Sequence, residues 1–349
     1  MKFVVSMGVA AFALAGLSVA FAADPDKTPQ KYDIAKRASE IDPRVKEHPE
    51  IDFLLADKQG KALDLQRAVV DTRVPSRGKL VIWLMGHSPG ISDRVSSYGM
   101  HYIQVHYANK WFGGLSKDVL NDGSSLGKLR LEAATGEDHS PIANIPTPDG
   151  IAERAHQFVR WLAKNHPAGK WDQFLAADGK GLRWDLVTVA GSSHGSTTAA
   201  RFAIHQKVDR VVMFCGPRDQ TENWQGFPSA TPPERFFGFS HVLDGGWTGH
   251  HYCRSWEMLG LNKFGPIVNV ETSRAPFGNT RRLTTDWNVM NDAKRAHGVV
   301  VPGSASPKGP DGKLLHEEVW KYLFTHPVAE TGAAVAKDPS CKVPPLPGK

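Results

Sequence analysis

Cysteine is scarce in this chain of 349 residues, which contains only Cys215, Cys253 and Cys341. That count excludes a disulfide-rich scaffold and a four-cysteine zinc site, and it allows at most one internal disulfide. Cys215 ends the apolar run VVMFC and is expected to be a buried thiol. Cys253 and Cys341 are then the possible pair, although the sequence cannot place two Cα atoms and their pairing stays open.

Beyond residue 22 the sequence contains no apolar run long enough to span a bilayer. Before that point, Lys2 precedes an apolar run over residues 3–21, and residues 20–22 (AFA) have the small-x-small form that signal peptidases accept. We expect residues 1–22 to be a cleaved secretory signal rather than an anchor helix, because polar residues and glycines interrupt the run. The mature chain is expected to be secreted or periplasmic, without stable membrane insertion.

Concentrated charge of one sign is also missing. The formal net charge is +6, but Lys and Arg are interspersed with acidic residues, and no basic helix or aromatic-basic ladder occurs. Nucleic acid is therefore not an expected partner. With 41% hydrophobic and 22% charged residues, the composition is that of a globular domain.

The two ends of the chain are predicted to lie outside the ordered core. Residues 23–50 are charged and interrupted by prolines, which is typical of a surface lead-in, and residues 326–349 form a proline-rich tail. The ordered domain is predicted over 51–325. It is expected to open with an N-terminal antiparallel hairpin of residues 51–57 and 62–74, with its turn at Gly60.

Short continuous apolar runs follow and predict strands that are buried on both faces. They cover residues 79–86, 100–107, 184–191, 209–216 and 266–272. Helical patterns occur at residues 149–166, with Asp149 as a candidate N-cap, and at 196–207. This alternation predicts an α/β fold with a mostly parallel central sheet and helices on both faces. The Gly- and Pro-rich stretches 108–148 and 273–313 are expected to be long loops, the first an insert near the functional site.

One motif carries chemistry. In VTVAGSSHGS, residues 187–196, Gly191, Ser193 and Gly195 form GxSxG. The match alone is weak, but here a predicted buried strand precedes it and a predicted helix follows, which is the arrangement of a nucleophile elbow. Glycines on both sides let strand and helix approach closely, so that Ser193 is forced outward at the tip of the turn.

With this elbow and strand order, residues 50–325 resemble the α/β-hydrolase superfamily. RFFGFSHVLDGG (235–246) and RRLTT (281–285) resemble stretches of secreted bacterial, serine-esterase-like members in a poorly characterised sub-family. In the superfamily the nucleophile follows the fifth strand, the acid follows the seventh, and the histidine follows the last strand.

The resemblance implies a Ser-His-Asp triad built on Ser193. For the acid we expect Asp244, where the strand predicted within 235–246 ends in a glycine-rich turn, with Asp219 in GPRDQ as the alternative. For the base we expect His297, in a loop beside a glycine, with His316 at the start of a predicted C-terminal helix as the alternative. An ordinary turn, helix-capping or surface role is expected for whichever candidate is not used.

The resemblance also implies two oxyanion-hole donors. One is the backbone N–H of His194, directly after the serine, and the other is expected to be the N–H of His87, after the strand WLMG. MGHSPG carries Met85 where some members of the superfamily have histidine, so the identity of the second donor stays open.

A zinc site can be imagined around His241, Asp244, His250 and His251, but their spacing matches neither HExxH nor a cysteine-based site. We therefore expect no metal and no cofactor. Three aromatic residues nearby, Trp247, Tyr252 and Trp256, are expected to begin a helix beside the acid loop.

Taken together, the sequence predicts a secreted serine hydrolase that cleaves a carboxylic ester through an acyl-enzyme. Its partner would be a small-molecule or polymer ester. Trp111 and Phe112 in the insert favour an apolar substrate, although both are equally compatible with a place in the core. Peptidase or amidase action with the same triad and a non-catalytic binding module on a hydrolase scaffold are the alternatives.

Overall fold

A computed structural model describes residue 1 and residues 28–111, 115–116, 118–119, 122–246 and 252–342. Residues 2–22 of the predicted signal peptide, and Phe112, Trp247, His250 and His251, thus lie outside the described residues. Among the described residues, no helix combines the length and the apolar character needed to cross a lipid bilayer.

Within the described ranges, nine strands form a single sheet in the order β1-β2-β4-β3-β5-β6-β7-β9-β8. Strand β2 runs antiparallel to β1 and β4, and every other neighbouring pair is parallel. The mostly parallel sheet predicted from the apolar runs is thus confirmed. The strands are β1 Lys31–Arg37, β2 Leu65–Asp71, β3 Leu80–Leu84, β4 His101–Gln104, β5 Val187–Ser192, β6 Arg210–Phe214, β7 Phe236–His241, β8 Ile267–Asn269 and β9 Arg282–Thr285.

Helices cover both faces of this sheet. They are α1 Ala38–Ile41, α2 Pro89–Ser97, α3 Ser125–Thr135, α4 Ile151–Asn165, α5 His194–His205, α6 Cys253–Met258, α7 Ala293–Gly298 and α8 Glu317–Thr325. Helices α4 and α5 pack on one face, and α2, α7 and α8 pack on the other. Successive residues of β3 alternate between the two cores, as a strand period of two requires, and all five are buried.

The predicted N-terminal hairpin is wrong in one of its two strands: β2 pairs with a strand before residue 51, not with residues 51–57. Strand β2 pairs with β1 over seven residues, from Lys31 opposite Asp71 to Arg37 opposite Leu65. Residues 51–57 form no strand; Ala56 makes an isolated bridge to Ala62 around the expected turn at Gly60. The lead-in therefore contains an edge strand, which the sequence conceals because the strand KYDIAKR is charged and half-exposed.

Both stretches expected to be long loops contain regular elements. The 108–148 insert holds helix α3, and the 273–313 stretch holds α7 and strand β9, which lies between β7 and β8. Strand β9 has only four residues and α7 has six, so neither is long enough to show a periodic pattern in sequence.

Helix α4 is not capped by Asp149, as the sequence suggested. Its N-cap is Gly150, and the buried Asp149 carboxylate instead bonds Arg154 Nη2 at 2.7 Å and His48 Nε2 at 2.8 Å. The ion pair draws the side chain away from the helix end and ties the segment before α4 to the N-terminal region.

The disulfide left open by the sequence is formed between Cys253 and Cys341, and Cys215 is a buried free thiol as expected. After α8 the chain returns along the domain, where the Val335 N–H donates to Asn262 O at 2.9 Å. The bridge then attaches this returning segment to the start of α6.

Candidate active site

Ser193 lies at a sharp bend between β5 and α5. Its backbone angles are φ 55° and ψ −116°, which a residue with a side chain rarely adopts. A Cβ at Gly195 would lie 2.1 Å from Leu84 O, and one at Gly191 would lie 2.5 Å from the Gly195 carbonyl carbon. The bend therefore requires glycine at both positions, which is the reason the motif was expected to fold this way.

Hydrogen bonds from two elements fix this bend. The Ser193 N–H donates to Phe214 O, at the end of β6, at 2.9 Å. The Ser193 carbonyl accepts from Ser196 Oγ at 2.7 Å and from Thr197 Oγ1 at 2.9 Å, both in the first turn of α5. The strained residue is thus held by its surroundings, and its side chain is left at the carboxyl edge of the sheet.

The strand order places this bend at a topological switch point. From β3 the chain crosses outward to β4, whereas from β5 it continues in the opposite direction to β6 and β7. In open α/β sheets, a crevice forms at the carboxyl ends of the strands where the order reverses. Ser193 follows β5, next to β3, and so lies at that crevice.

A histidine and an aspartate meet at the same edge. Asp244 follows β7, His297 lies in α7, and His297 Nδ1 is 2.6 Å from Asp244 Oδ1. The Tyr252 hydroxyl donates to Asp244 Oδ2 at 2.6 Å. The Asp244 side chain is fully buried, while that of His297 is about one-third exposed. The structure thus brings the two expected residues together, although His297 lies in a short helix rather than in the expected loop.

The Asp244 carboxylate remains charged in this environment. Burial acts to raise its pKa, but the hydrogen bond and charge of His297, the Tyr252 hydroxyl and the charge of Arg218 outweigh burial and lower the pKa to about 2. A buried carboxylate bonded to Nδ1 orients the ring and leaves Nε2 as the nitrogen that can exchange a proton.

This lowered pKa makes a testable contribution to stability. The folded pKa lies below the ordinary value of 3.8, so the stabilisation is present above pH 4 and is lost as the pH falls from about 4 to about 2. We expect the difference in unfolding free energy between wild type and Asp244→Asn to shrink by about 2 kcal/mol between pH 5 and pH 2. Urea titrations across that range measure it, and parallel losses in the two proteins would contradict it.

The alternative residues are engaged elsewhere. Asp219 accepts from Arg130 Nε at 2.6 Å and Nη2 at 2.8 Å in a buried ion pair. His316 is the N-cap residue of α8, where its buried Nε2 lies 2.8 Å from Glu271 Oε1 and its ring packs edge-on against Phe239. Each side chain thus links structural elements rather than facing His297 or Asp244.

The two residues expected to supply the oxyanion donors lie after different strands, His194 after β5 and His87 after β3. His194 is the first residue of α5; burial, followed by the charges of Arg130 and Arg218, holds the pKa of its ring well below the usual value. That ring packs edge-on against Trp111, which is buried. His87 lies between β3 and α2, and burial lowers its pKa.

One neighbour of Ser193 and one neighbour of His297 were missed in the sequence analysis. Arg218 Nη1 lies 3.3 Å from Ser193 Oγ, and Cys215 Sγ donates to His297 O at 3.3 Å. Both follow β6, and the stretch GPRDQ was considered only for Asp219. Arg218, beside Asp219, was the available signal. It is a charged residue directly after a buried strand, β6, which neighbours the strand that leads into GxSxG.

Of the four residues considered for zinc, His250 and His251 lie outside the described residues, and the ring nitrogens of His241 bond the Leu243 N–H and Trp287 O. Among the described residues, a different set of possible donor atoms comes together. Cys215 Sγ, an Asp244 carboxyl oxygen and a His297 ring nitrogen all lie within 4.8 Å of one another.

The strand order, the bend after β5, the acid after β7 and the histidine beyond the last strand in chain order together define an α/β-hydrolase fold. No protein-family model matches the chain, and no curated protein matches it.

Solved structures that resemble the chain include several hydrolases. A prolyl endopeptidase is 11% identical over 66% of this chain and 32% of its own, with a TM-score of 0.30. An α/β serine hydrolase without a lid from Xanthomonas campestris is 10% identical over 53% and 69%, with a TM-score of 0.27. An S-formylglutathione hydrolase from Staphylococcus aureus is 11% identical over 52% and 56%, with a TM-score of 0.25. This chain thus spans about a third of the first protein.

Proposed function

We propose that this protein is a serine hydrolase that cleaves carboxylic esters, with Ser193 as nucleophile, His297 as general base and Asp244 as the acid that orients it. The observation that carries the proposal is the strained serine at one strand end together with the histidine-aspartate pair two strands away. Hydrogen bonds at Phe214 and Cys215 link the serine bend to the segment of His297. The Ser193 N–H donates to Phe214 O, and the thiol of the next residue, Cys215, donates to His297 O.

A serine hydroxyl is a weak nucleophile at neutral pH and needs a base. With Nδ1–H of His297 donated to Asp244, Nε2 takes the hydroxyl proton as Ser193 Oγ attacks the ester carbonyl carbon. The resulting imidazolium is stabilised by the Asp244 carboxylate, whose low pKa keeps it ionised throughout.

The attack turns the carbonyl oxygen into an oxyanion, which the N–H groups of His194 and His87 are proposed to bind. Because α5 begins directly after Ser193, its amino-terminal amides and dipole favour negative charge near the serine. His297 then protonates the departing alcohol, leaving an acyl group on Ser193. Water, activated by the same imidazole, attacks this acyl-enzyme and releases the carboxylic acid and the free serine.

Labelling with a fluorophosphonate tests the nucleophile directly, because the reagent forms a covalent adduct only with an activated serine. We expect intact-mass spectrometry to show one adduct on the wild type, mapped to Ser193, and none on Ser193→Ala. Ser192→Ala is the matched control, since it removes the adjacent hydroxyl at the end of β5 and should still be labelled. A folded wild type that resists labelling, or an adduct that persists in Ser193→Ala, would contradict the proposal.

We also infer that the mature enzyme is exported. The small-x-small pattern at residues 20–22 and the Cys253–Cys341 disulfide, which is typical of oxidising compartments, support export. Expression of the full chain in a bacterial host, followed by fractionation and N-terminal sequencing, tests this. We expect exported protein beginning at Ala23, and retention in the cytosol with an intact N-terminus would contradict it.

A further inference from the structure

Arg218 has no role in the chemistry proposed above, yet its guanidinium faces the nucleophile. Nη1 lies 3.3 Å from Ser193 Oγ, and the Arg218 N–H donates to Thr197 Oγ1 at 2.9 Å, which anchors its backbone to α5. Arg218 as a whole is half-buried. A cation is thereby fixed within reach of any molecule bound at Ser193.

In the described part of the chain, Arg218 lacks the carboxylate partner that two other enclosed arginines have, whereas the buried Arg210 and Arg281 bond carbonyl oxygens. Arg130 is paired with Asp219, and Arg154 is paired with Asp149. Within the part of the chain that the structure describes, Arg218 forms no ion pair with a carboxylate. Asp244 is close enough to influence it, but both oxygens of Asp244 are committed to His297 and Tyr252.

The guanidinium nevertheless stays ionised. Burial disfavours its charge, but the neighbouring oxygens of Tyr252 and Asp244 outweigh burial and raise the pKa of Arg218. His194 is kept neutral by burial and by the nearby arginines, so it adds no further positive charge. Arg218 is therefore a permanent cation beside Ser193, and its remaining guanidinium donors can bind an anionic group of a ligand.

The side of the serine on which Arg218 lies indicates which part of a substrate it meets. The proposed oxyanion donor His87 follows β3, on one side of β5, whereas Arg218 follows β6, on the other side. Arg218 therefore does not lie where the second oxyanion donor is expected. A group of the substrate other than the carbonyl oxygen is therefore what it could contact.

On this basis we propose that Arg218 is a specificity-determining residue that binds a carboxylate carried by the substrate, so that the preferred substrates are esters with a free carboxylate close to the scissile bond. This inference rests on the proposed esterase function. A carboxylate bonded to the remaining guanidinium donors would lie roughly 4–6 Å from Ser193 Oγ, the distance that separates the two carboxyl carbons of a four- or five-carbon diacid.

Matched pairs of esters test the proposal by acid release in a pH-stat. Monomethyl glutarate and methyl pentanoate differ only in a carboxylate on the acyl side; acetoxyacetate and ethyl acetate differ only in a carboxylate on the alcohol side. We expect wild-type kcat/KM to be at least about 10-fold higher for the anionic member of one pair, which identifies the side. Equal rates in both pairs would overturn the inference.

Substitution at Arg218 separates substrate recognition from an effect on the serine. Arg218→Gln should lower the anionic-to-neutral ratio about 10- to 100-fold, and Arg218→Lys should restore part of it, because the charge remains without the planar fork. Arg254→Gln is the matched control; its guanidinium bonds carbonyl oxygens after Asp219, and the ratio should not change. Equal losses on both members of a pair would assign Arg218 to the serine and overturn the proposal.

A measurement on the wild type alone keeps the test independent of how the variants fold. Glutarate should slow labelling by a neutral fluorophosphonate in a saturable way, whereas glutaramide at the same concentration should not. Labelling without this protection would reject the anion site and leave the serine hydrolase proposal standing. Failure of labelling itself would instead reject the proposed function.

Discussion

His297→Ala is expected to lower kcat/KM for ester hydrolysis by about 10⁴-fold or more, while His316→Ala leaves the rate per folded molecule within about threefold. The two histidines differ in what they contact. His297 bonds the buried Asp244, whereas His316, at the start of α8, bonds Glu271. Removing the base of a triad costs about as much as removing the nucleophile, because the residues act as a unit.

Kinetics on a nitrophenyl ester, normalised to the folded fraction, provide the measurement. His316→Ala should show its cost in thermal stability instead, since it removes a buried hydrogen bond and ring contacts with Phe239 and Trp320. Abolition of activity in a folded His316→Ala protein, with His297→Ala still active, would reverse the assignment of the base.

Gly195→Ala is expected to lower the free energy of unfolding by about 3 kcal/mol or more and to remove activity. The added Cβ would lie 2.1 Å from Leu84 O and 2.7 Å from Met85 Cγ. Since Leu84 O belongs to the backbone of a central strand, it cannot move aside without disturbing the sheet. Either β3 or the bend at Ser193 has to shift.

Chemical denaturation measures this loss, and Gly181→Ala is its control. A Cβ at Gly181 meets no atom within 4 Å, and Gly181 has no positive φ, so that variant should stay close to wild type. A Gly195→Ala protein as stable as Gly181→Ala would show that the bend tolerates a side chain, against the close packing described for the elbow.

The central strands and the bend could be predicted from sequence because their causes are local. Strands covered on both faces require unbroken apolar runs, as in β3 and β6, and a strained turn between packed elements requires glycines on both sides of Ser193. The spacing of the glycines and the apolar runs of the buried strands can therefore be recognised in the sequence alone.

The features that were missed depend on contacts between distant parts of the chain. Strand β1 is stabilised by pairing with β2 at the sheet edge, not by an apolar pattern of its own. Strand β9 has four residues and gains its place from neighbours on both sides. Arg218 faces Ser193 only because β5 and β6 are adjacent; its charge directly after a buried strand marks it as a candidate site residue, but GPRDQ alone does not show which side chain it meets.

The bridge between Cys253 and Cys341 closes a covalent ring that contains His297 but neither Ser193 nor Asp244. The imidazole is thus carried by a segment whose two ends are joined, and opening the ring gives that segment more freedom relative to the rest of the domain. Chain made in a thiol-rich host would form a mixture of closed and open rings. A thiol titration tells them apart, because the closed form has one free thiol, that of Cys215, and the open form has three.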